Sequence, residues 1–169
     1  MRLTEYTDYT LRVLMYCAAH PGRLVTIAEL AEQHGVSKNH LMKVVNDLAR
    51  QGVLETTRGR GGGLRLLRKP AEIRVGDVVR NCETDFRLVE CFDSSTDTCS
   101  LTPTCRLKGV LHAALLAYFR ELDGATLADI TGPALSLRAP SANASRRPAV
   151  GMPIAAPVSR RPAAAKRSA

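Results

Sequence analysis

The chain has no run of about 18 apolar residues, so no membrane-spanning helix is expected. Its start, Met1-Arg2-Leu3-Thr4-Glu5, lacks the charged lead and apolar stretch of a signal peptide, and a cytoplasmic protein is expected. Acidic residues are missing from 138 to 169, where seven Lys and Arg lie among Ala, Pro and Ser. Such a stretch cannot bury enough apolar surface to order itself, so a disordered basic tail is expected over 132–169. Catalytic groupings are missing as well. There is no Ser/His/Asp set, and Asp93 and Asp97 sit in a polar loop with no pocket implied around them. No internal repeat occurs. These absences argue against a membrane protein and against an enzyme.

The net charge of +8 over 169 residues is mostly a tail effect, since 1–137 carries 17 basic against 16 acidic residues. Within that body the charge is polarised. Residues 38–74 hold nine basic and three acidic side chains, and 75–137 hold five and nine. One basic segment in an acidic frame is the electrostatic footprint of a nucleic-acid-binding surface.

Apolar Leu11, Leu14, Met15 and Ala18 are spaced for a helix over 6–19, ended by His20-Pro21-Gly22. Asp8 and Arg12, one turn apart, read as a surface ion pair, and Cys17 reads as a core residue. Thr26 and Glu29 form a capping box that opens a short helix. Gly35-Val36-Ser37 then makes a tight corner, with Ser37 able to cap a helix running to about Gln51. The inner face of that helix is Leu41, Val44, Val45 and Leu48. Its outer face offers Lys38, Asn39, His40 and Lys43, types that reach bases and phosphates in a major groove. A merely solvated amphipathic helix has the same pattern. The strand-like stretches 53–58 and 64–67 flank Gly59-Arg60-Gly61-Gly62-Gly63, a hairpin tip with Arg58 and Arg60 placed to meet phosphates or a narrow minor groove. A nucleotide-binding Gly-rich loop is disfavoured, because no Lys-Ser/Thr ends it and no helix follows. A recognition-type helix followed by a basic hairpin is the layout of a winged helix.

Residues 75–82 form a short helix in which Cys82 packs. From Glu90 to Arg106 the chain is a Ser/Thr/Asp loop holding Cys91, Cys99 and Cys105. Zinc wants four protein ligands, and no further Cys or His lies in the loop; His112, two turns into the next helix, reads as a surface residue. Three thiols lacking a fourth partner suit an iron–sulfur cluster with one unusual ligand, although three unrelated thiols remain a reading. Leu107 to Leu122 is the most regular helix, apolar on more than one face. With little chain left to cover it, a partner subunit is the expected cover. Thr126–Ile130 adds a short turn.

The chain resembles the family of winged-helix, iron–sulfur-dependent bacterial repressors over about 1–131. The likeness rests on Leu3-Thr4 with Thr7-Asp8-Tyr9 and Leu11-Arg12, Gly35-Val36-Ser37 with Asn39-His40, and Arg58-Gly59 with Gly62-Gly63 and Arg65-Leu66. It continues through Gly76-Asp77-Val78-Val79-Arg80, Leu101-Thr102-Pro103, Cys105-Arg106-Leu107-Lys108, Glu121-Leu122-Asp123 and Thr126-Leu127-Ala128-Asp129.

The resemblance implies a mainly α fold: a winged helix-turn-helix with a small two-stranded wing, plus a long C-terminal dimerisation helix. It divides the chain into a DNA-binding domain over 1–74, a cluster loop and dimerisation helix over 75–131, and the tail. It implies a homodimer on palindromic operator DNA, contacting it through Ser37, Lys38, Asn39, His40, Lys43, Arg58 and Arg60. It also implies an iron–sulfur cluster, 4Fe-4S ahead of 2Fe-2S, on Cys91, Cys99, Cys105 and Asp8 of the other subunit, with Arg12 bonded to Asp8. The nearest branch senses nitric oxide, whose attack on the cluster frees the operator. Lys108 stands where the cluster-assembly branch has His, which argues against that branch. The iron-responsive branch shares the N-terminal stretch and the cysteines and competes. From another class, an iron–sulfur electron carrier would need the cluster but no DNA.

Overall fold

A computed structural model of the chain describes residues 2–131. The expected tail, 132–169, lies outside the described residues. Helix α1 (Glu5–Ala19) opens at Thr4, whose hydroxyl accepts from the Thr7 N–H. Helix α2 (Ile27–His34) opens on the capping box, with Thr26 and Glu29 bonded reciprocally. It stops at Gly35, whose φ of +65 is a left-handed conformation that glycine takes without steric cost. Helix α3 (Lys38–Arg50) restarts at once, its Ser37 hydroxyl accepting from the His40 N–H. These three caps are local in sequence, which is why the corner is readable from it.

The wing is an antiparallel pair, β1 (Leu54–Thr57) and β2 (Gly63–Leu66), with Leu54 opposite Leu66 and Thr57 opposite Gly63. Val25 adds a third, one-residue rung. Its N–H donates to the Leu64 carbonyl at 2.9 Å and its carbonyl accepts from the Leu64 N–H at 2.8 Å. Gly63 permits this approach, since a β-carbon there would lie 2.7 Å from the Val25 oxygen. The wing root is thereby stitched to the segment between α1 and α2.

Helix α4 (Val75–Cys82) follows, then the cysteine loop, α5 (Arg106–Gly124) and α6 (Leu127–Ile130). The loop holds two short 3-10 turns, Glu90–Phe92 and Thr102–Thr104. The chain leaves and re-enters the main body at one place. Val75 N–H donates to the Ala125 carbonyl at 3.0 Å, and Leu127 N–H donates to the Ile73 carbonyl at 2.8 Å. A second capping box, Thr126 with Asp129, starts α6, and Leu127 drops into the core.

That core comprises Val13, Leu14, Leu30, Leu41, Val44, Leu48, Leu54 and Leu64 with their neighbours. It differs from expectation on α1. There the fully buried positions include Thr7 and Thr10 beside Val13, Leu14 and Cys17, while Leu11, Met15 and Ala18 are only partly covered. Two threonines can be buried because their hydroxyls are satisfied, Thr10 on the Tyr6 carbonyl at 2.8 Å and Thr7 on the Glu83 carboxylate. Cys17 is a core residue as expected, and burial pushes its thiol up to about 12.

Helix α5 is the opposite case. Among the described residues it is the longest helix, and none of its side chains is buried by them. Leu107, Val110 and Leu116 are 62%, 64% and 58% exposed, more than a water-facing helix needs. Its C-terminal half is fixed to α4. Arg80 grips Asp123 through two hydrogen bonds of 2.6 and 2.7 Å, and its guanidinium lies 4.3 Å from the Phe119 ring centre. Arg74 donates to the carbonyls of Asp123 and Gly124 that the helix end leaves open.

Candidate DNA-binding surface and cysteine site

The capping of α3 sets one face of the molecule. With Leu41, Val44, Val45 and Leu48 buried beneath, Lys38, Asn39, His40 and Lys43 are all exposed. Ser37 is exposed too, but its hydroxyl oxygen is engaged in the cap. The wing tip brings Arg58 and Arg60 into solvent, and neither forms an ion pair among the described residues. Arg65, by contrast, is held by Glu55 across the strands at 2.8 Å. The residues left free are thus the ones a phosphate backbone can recruit. His40 stacks on Tyr9, and the Lys43 amine lies 5.6 Å from the Tyr6 ring centre, so both are oriented by α1.

In the cysteine loop, Cys91 is buried, whereas Cys99 and Cys105 are half-buried; none is in a disulfide. Cys91 and Cys105 line one cavity of about 750 Å³ with Phe86, Phe92, Lys108 and His112. Cys99 is not part of its lining. The Cys99 N–H donates to Asp97 at 3.0 Å, and the Thr102 hydroxyl donates to the same oxygen. The loop entrance is pinned by Arg87, which bridges Asp85 and Asp93. His112 is exposed, as expected, and its ring meets that of Phe92 edge-on. Asp8 and Arg12 form a two-point ion pair within α1, Nε donating to Oδ1 at 3.0 Å and the second contact at 2.6 Å. No three His, Cys, Asp or Glu side chains are close enough to hold a metal ion among the described residues. A single chain therefore brings two of the three thiols to one cavity, and it gathers neither Cys99 nor Asp8 with them. The donor chemistry, three free thiols on one polar loop with two of them lining a cavity, fits thiolate-held iron.

Sequence reading missed Glu83 and Tyr6. The Glu83 carboxylate accepts from the Thr4 N–H at 2.7 Å and from the hydroxyls of Thr4 and Thr7. The Tyr6 hydroxyl donates to Asp47 of α3 at 2.6 Å. Neither pair has a local spacing that announces it.

A helix-turn-helix, a wing with free arginines and an attached thiol loop define a winged-helix DNA-binding regulator. The Rrf2 family, described as "Iron-dependent Transcriptional regulator", matches over residues 3–133, and the chain belongs to that family. It is 53% identical over 131 residues to the HTH-type transcriptional regulator NsrR of Bacillus subtilis (strain 168), covering 77% of this chain and 90% of that protein. It is 48% identical to the NsrR regulator of Shouchella clausii, covering 77% and 88%. Among solved structures, T. potens IscR superposes with a TM-score of 0.61 at 25% identity, over 77% of this chain and 85% of that one. The oxidized form of Staphylococcus aureus CymR superposes at 0.62 and 22% identity, over 78% and 96%, a likeness of fold alone. The expected winged-helix fold and transcriptional repressor function hold, and the chain is not an enzyme. No helix among the described residues is long and apolar enough to cross a membrane.

Proposed function

We propose that this repressor binds a palindromic operator as a homodimer while Cys91, Cys99 and Cys105 hold an iron–sulfur cluster, and that nitric oxide ends the binding. The family match over 3–133, which takes in Asp8 and all three cysteines, carries this reading. Its nitric oxide branch is favoured by the identity of about half to regulators named NsrR. When bound, the cluster, 4Fe-4S ahead of 2Fe-2S, supplies thiolate-held iron with which nitric oxide reacts.

The chain's own residues do the rest. Cys91 and Cys105 present thiols to the cavity, and Cys99 joins them from the same loop. Asp8 of the partner subunit supplies the remaining donor, with its Arg12 orienting the carboxylate. Leu107, Val110 and Leu116 of α5 cover their counterparts in a second copy, which removes an apolar face from water. A two-fold pair then sets two α3 helices in successive major grooves about 34 Å apart. Lys43 reads the groove, and Arg58 and Arg60 fasten the wing to phosphates.

The test is made on anaerobically purified protein, first for iron and sulfide content. Operator release is then followed during titration with nitric oxide and, separately, with an iron chelator. Release within a few equivalents of nitric oxide is expected. Release by chelation alone would transfer the protein to the iron-responsive branch. A preparation free of iron and sulfide that still binds operator would remove the cluster from the account.

A further inference from the structure

Three consecutive residues in the first turn of α1 point to three different parts of the protein. Side chains one residue apart on a helix diverge by about 100°. Thr7 is fully buried, and its hydroxyl donates to Glu83, the first residue past α4 on the run toward Cys91. Glu83 also accepts from both the N–H and the hydroxyl of Thr4, the cap of α1. Tyr6 points the other way, to Asp47 of α3. Asp47 is tied in turn to Arg50, and Lys43, one turn earlier on the same helix, lies over the Tyr6 ring. Asp8 faces neither element and remains about half-exposed with Arg12.

The edge where Tyr6 meets α3 is open. A cavity of about 580 Å³ lies there, lined by Tyr6, Lys43, Asp47, Arg50, Asn81 and Cys82. At this edge the Tyr6 ring packs partly against the core and lies under Lys43, and its hydroxyl adds the one directional bond from α1 to a carboxylate of α3. A hydrogen bond to a charged group is among the stronger single contacts, and its loss is felt in direction as well as energy. The same turn is clamped on its other side by three donors onto one carboxylate. One turn of α1 is thus bonded both to the segment after α4 and to α3.

Resting on the cluster-dependent reading above, the geometry points to Tyr6 as the positioning residue that couples the cysteine loop to the DNA-reading helix, with Glu83 as the clasp that makes the first turn of α1 move with the loop. Tyr6 touches neither cluster nor DNA. It sets where α3 lies when the loop is closed.

The test compares wild type, Tyr6→Phe, Glu83→Gln and the double variant, each as the full chain in cluster-loaded and iron-stripped form. Operator affinity, iron content and thermal melting are read for every sample. Tyr6→Phe keeps the ring and removes one hydroxyl. It is expected to lower the loaded-form affinity about fivefold while leaving stripped-form affinity and iron content unchanged, a size usual for a residue that tunes coupling between sites. Glu83→Gln is expected to shrink the loaded-to-stripped ratio similarly, and the double variant no further than either single one. Equal weakening of both forms by Tyr6→Phe would reduce Tyr6 to a structural contact and overturn the proposal. Additive effects would overturn the single rigid turn. If wild type itself binds operator equally well loaded and stripped, the cluster-dependent reading fails instead, a result distinct from the other two.

Discussion

The two halves of this molecule are built on different terms. From Val13 to Val79 the chain buries a dense apolar core, closed by Leu127 from the far end. From Glu83 to Thr126 a single residue is buried, Cys91. The first half is held by apolar contact with itself. The second is held by charge and hydrogen bonds: Arg80 on Asp123, Arg87 on Asp85 and Asp93, Glu83 on Thr4 and Thr7. A reader of DNA has to keep its shape whatever the signal, whereas a sensor has to change with it. Regions with little buried apolar surface open at low cost in free energy, and here that property falls on the half that carries the thiols.

Substitutions can break this contrast at either end. Leu41→Ala removes a side chain that is 1% exposed in the core and is expected to cost about 2–5 kcal/mol, read as a fall in the denaturant midpoint. Leu116→Asp, at a position 58% exposed, should leave the folded monomer within about 0.5 kcal/mol of wild type and instead disrupt the proposed dimer, read by sedimentation. If it unfolds the monomer, α5 belongs to the core after all. Arg60→Ala should leave stability unchanged and weaken binding to operator and non-operator DNA alike, with the salt dependence of log affinity reduced by about one unit of slope.

The smallest effect concerns pH. Arg23 first, then Tyr16 and the Thr26 cap, hold the Glu29 carboxyl at about 2, down from 4.5. A carboxyl lowered on folding adds stability that is complete above pH 4.5 and lost as pH falls toward 2. Glu29→Gln is expected to flatten, without abolishing, the acid slope of melting temperature over that range. A residual slope is retained because Asp123 and Asp129 are lowered as well, by Arg80 and by Thr126. An unchanged slope would mean that the capping box contributes nothing that titrates.

What was legible in the sequence follows the range of each interaction. The Thr26–Glu29 box, the Gly35 corner, the Ser37 cap and the basic hairpin are all set by residues within a few positions of one another, and each lies where the pattern places it. The apolar excess of α5 was equally legible, and in the single chain Leu107, Val110 and Leu116 stand exposed. The Val25–Leu64 rung, the Glu83 clasp on α1 and the return of Ala125 to Val75 join residues 39 to 79 positions apart, with no periodicity to mark them. The face of α1 was misjudged for the same reason. Thr7 looks like a solvent residue until its distant partner Glu83 is in place. Of the candidate site, the three cysteines and the exposed basic side chains of α3 and the wing could be named from the sequence. That Cys91 and Cys105 share a cavity whose lining leaves out Cys99 could not, because loop geometry leaves no trace in spacing.

The one-sided anchoring of α5 has a mechanical consequence. Its 19 residues make a rod about 28 Å long at 1.5 Å per residue. The grip of Arg80 and Arg74 lies at the far end of that rod from Cys105. A tilt of about 5° at the grip moves the other end by about 2.5 Å, roughly the length of an iron–thiolate bond. On the proposed reading, such a rod would act as a lever, magnifying small rotations at the grip into displacements on the scale of coordination chemistry, and reducing them in the opposite direction.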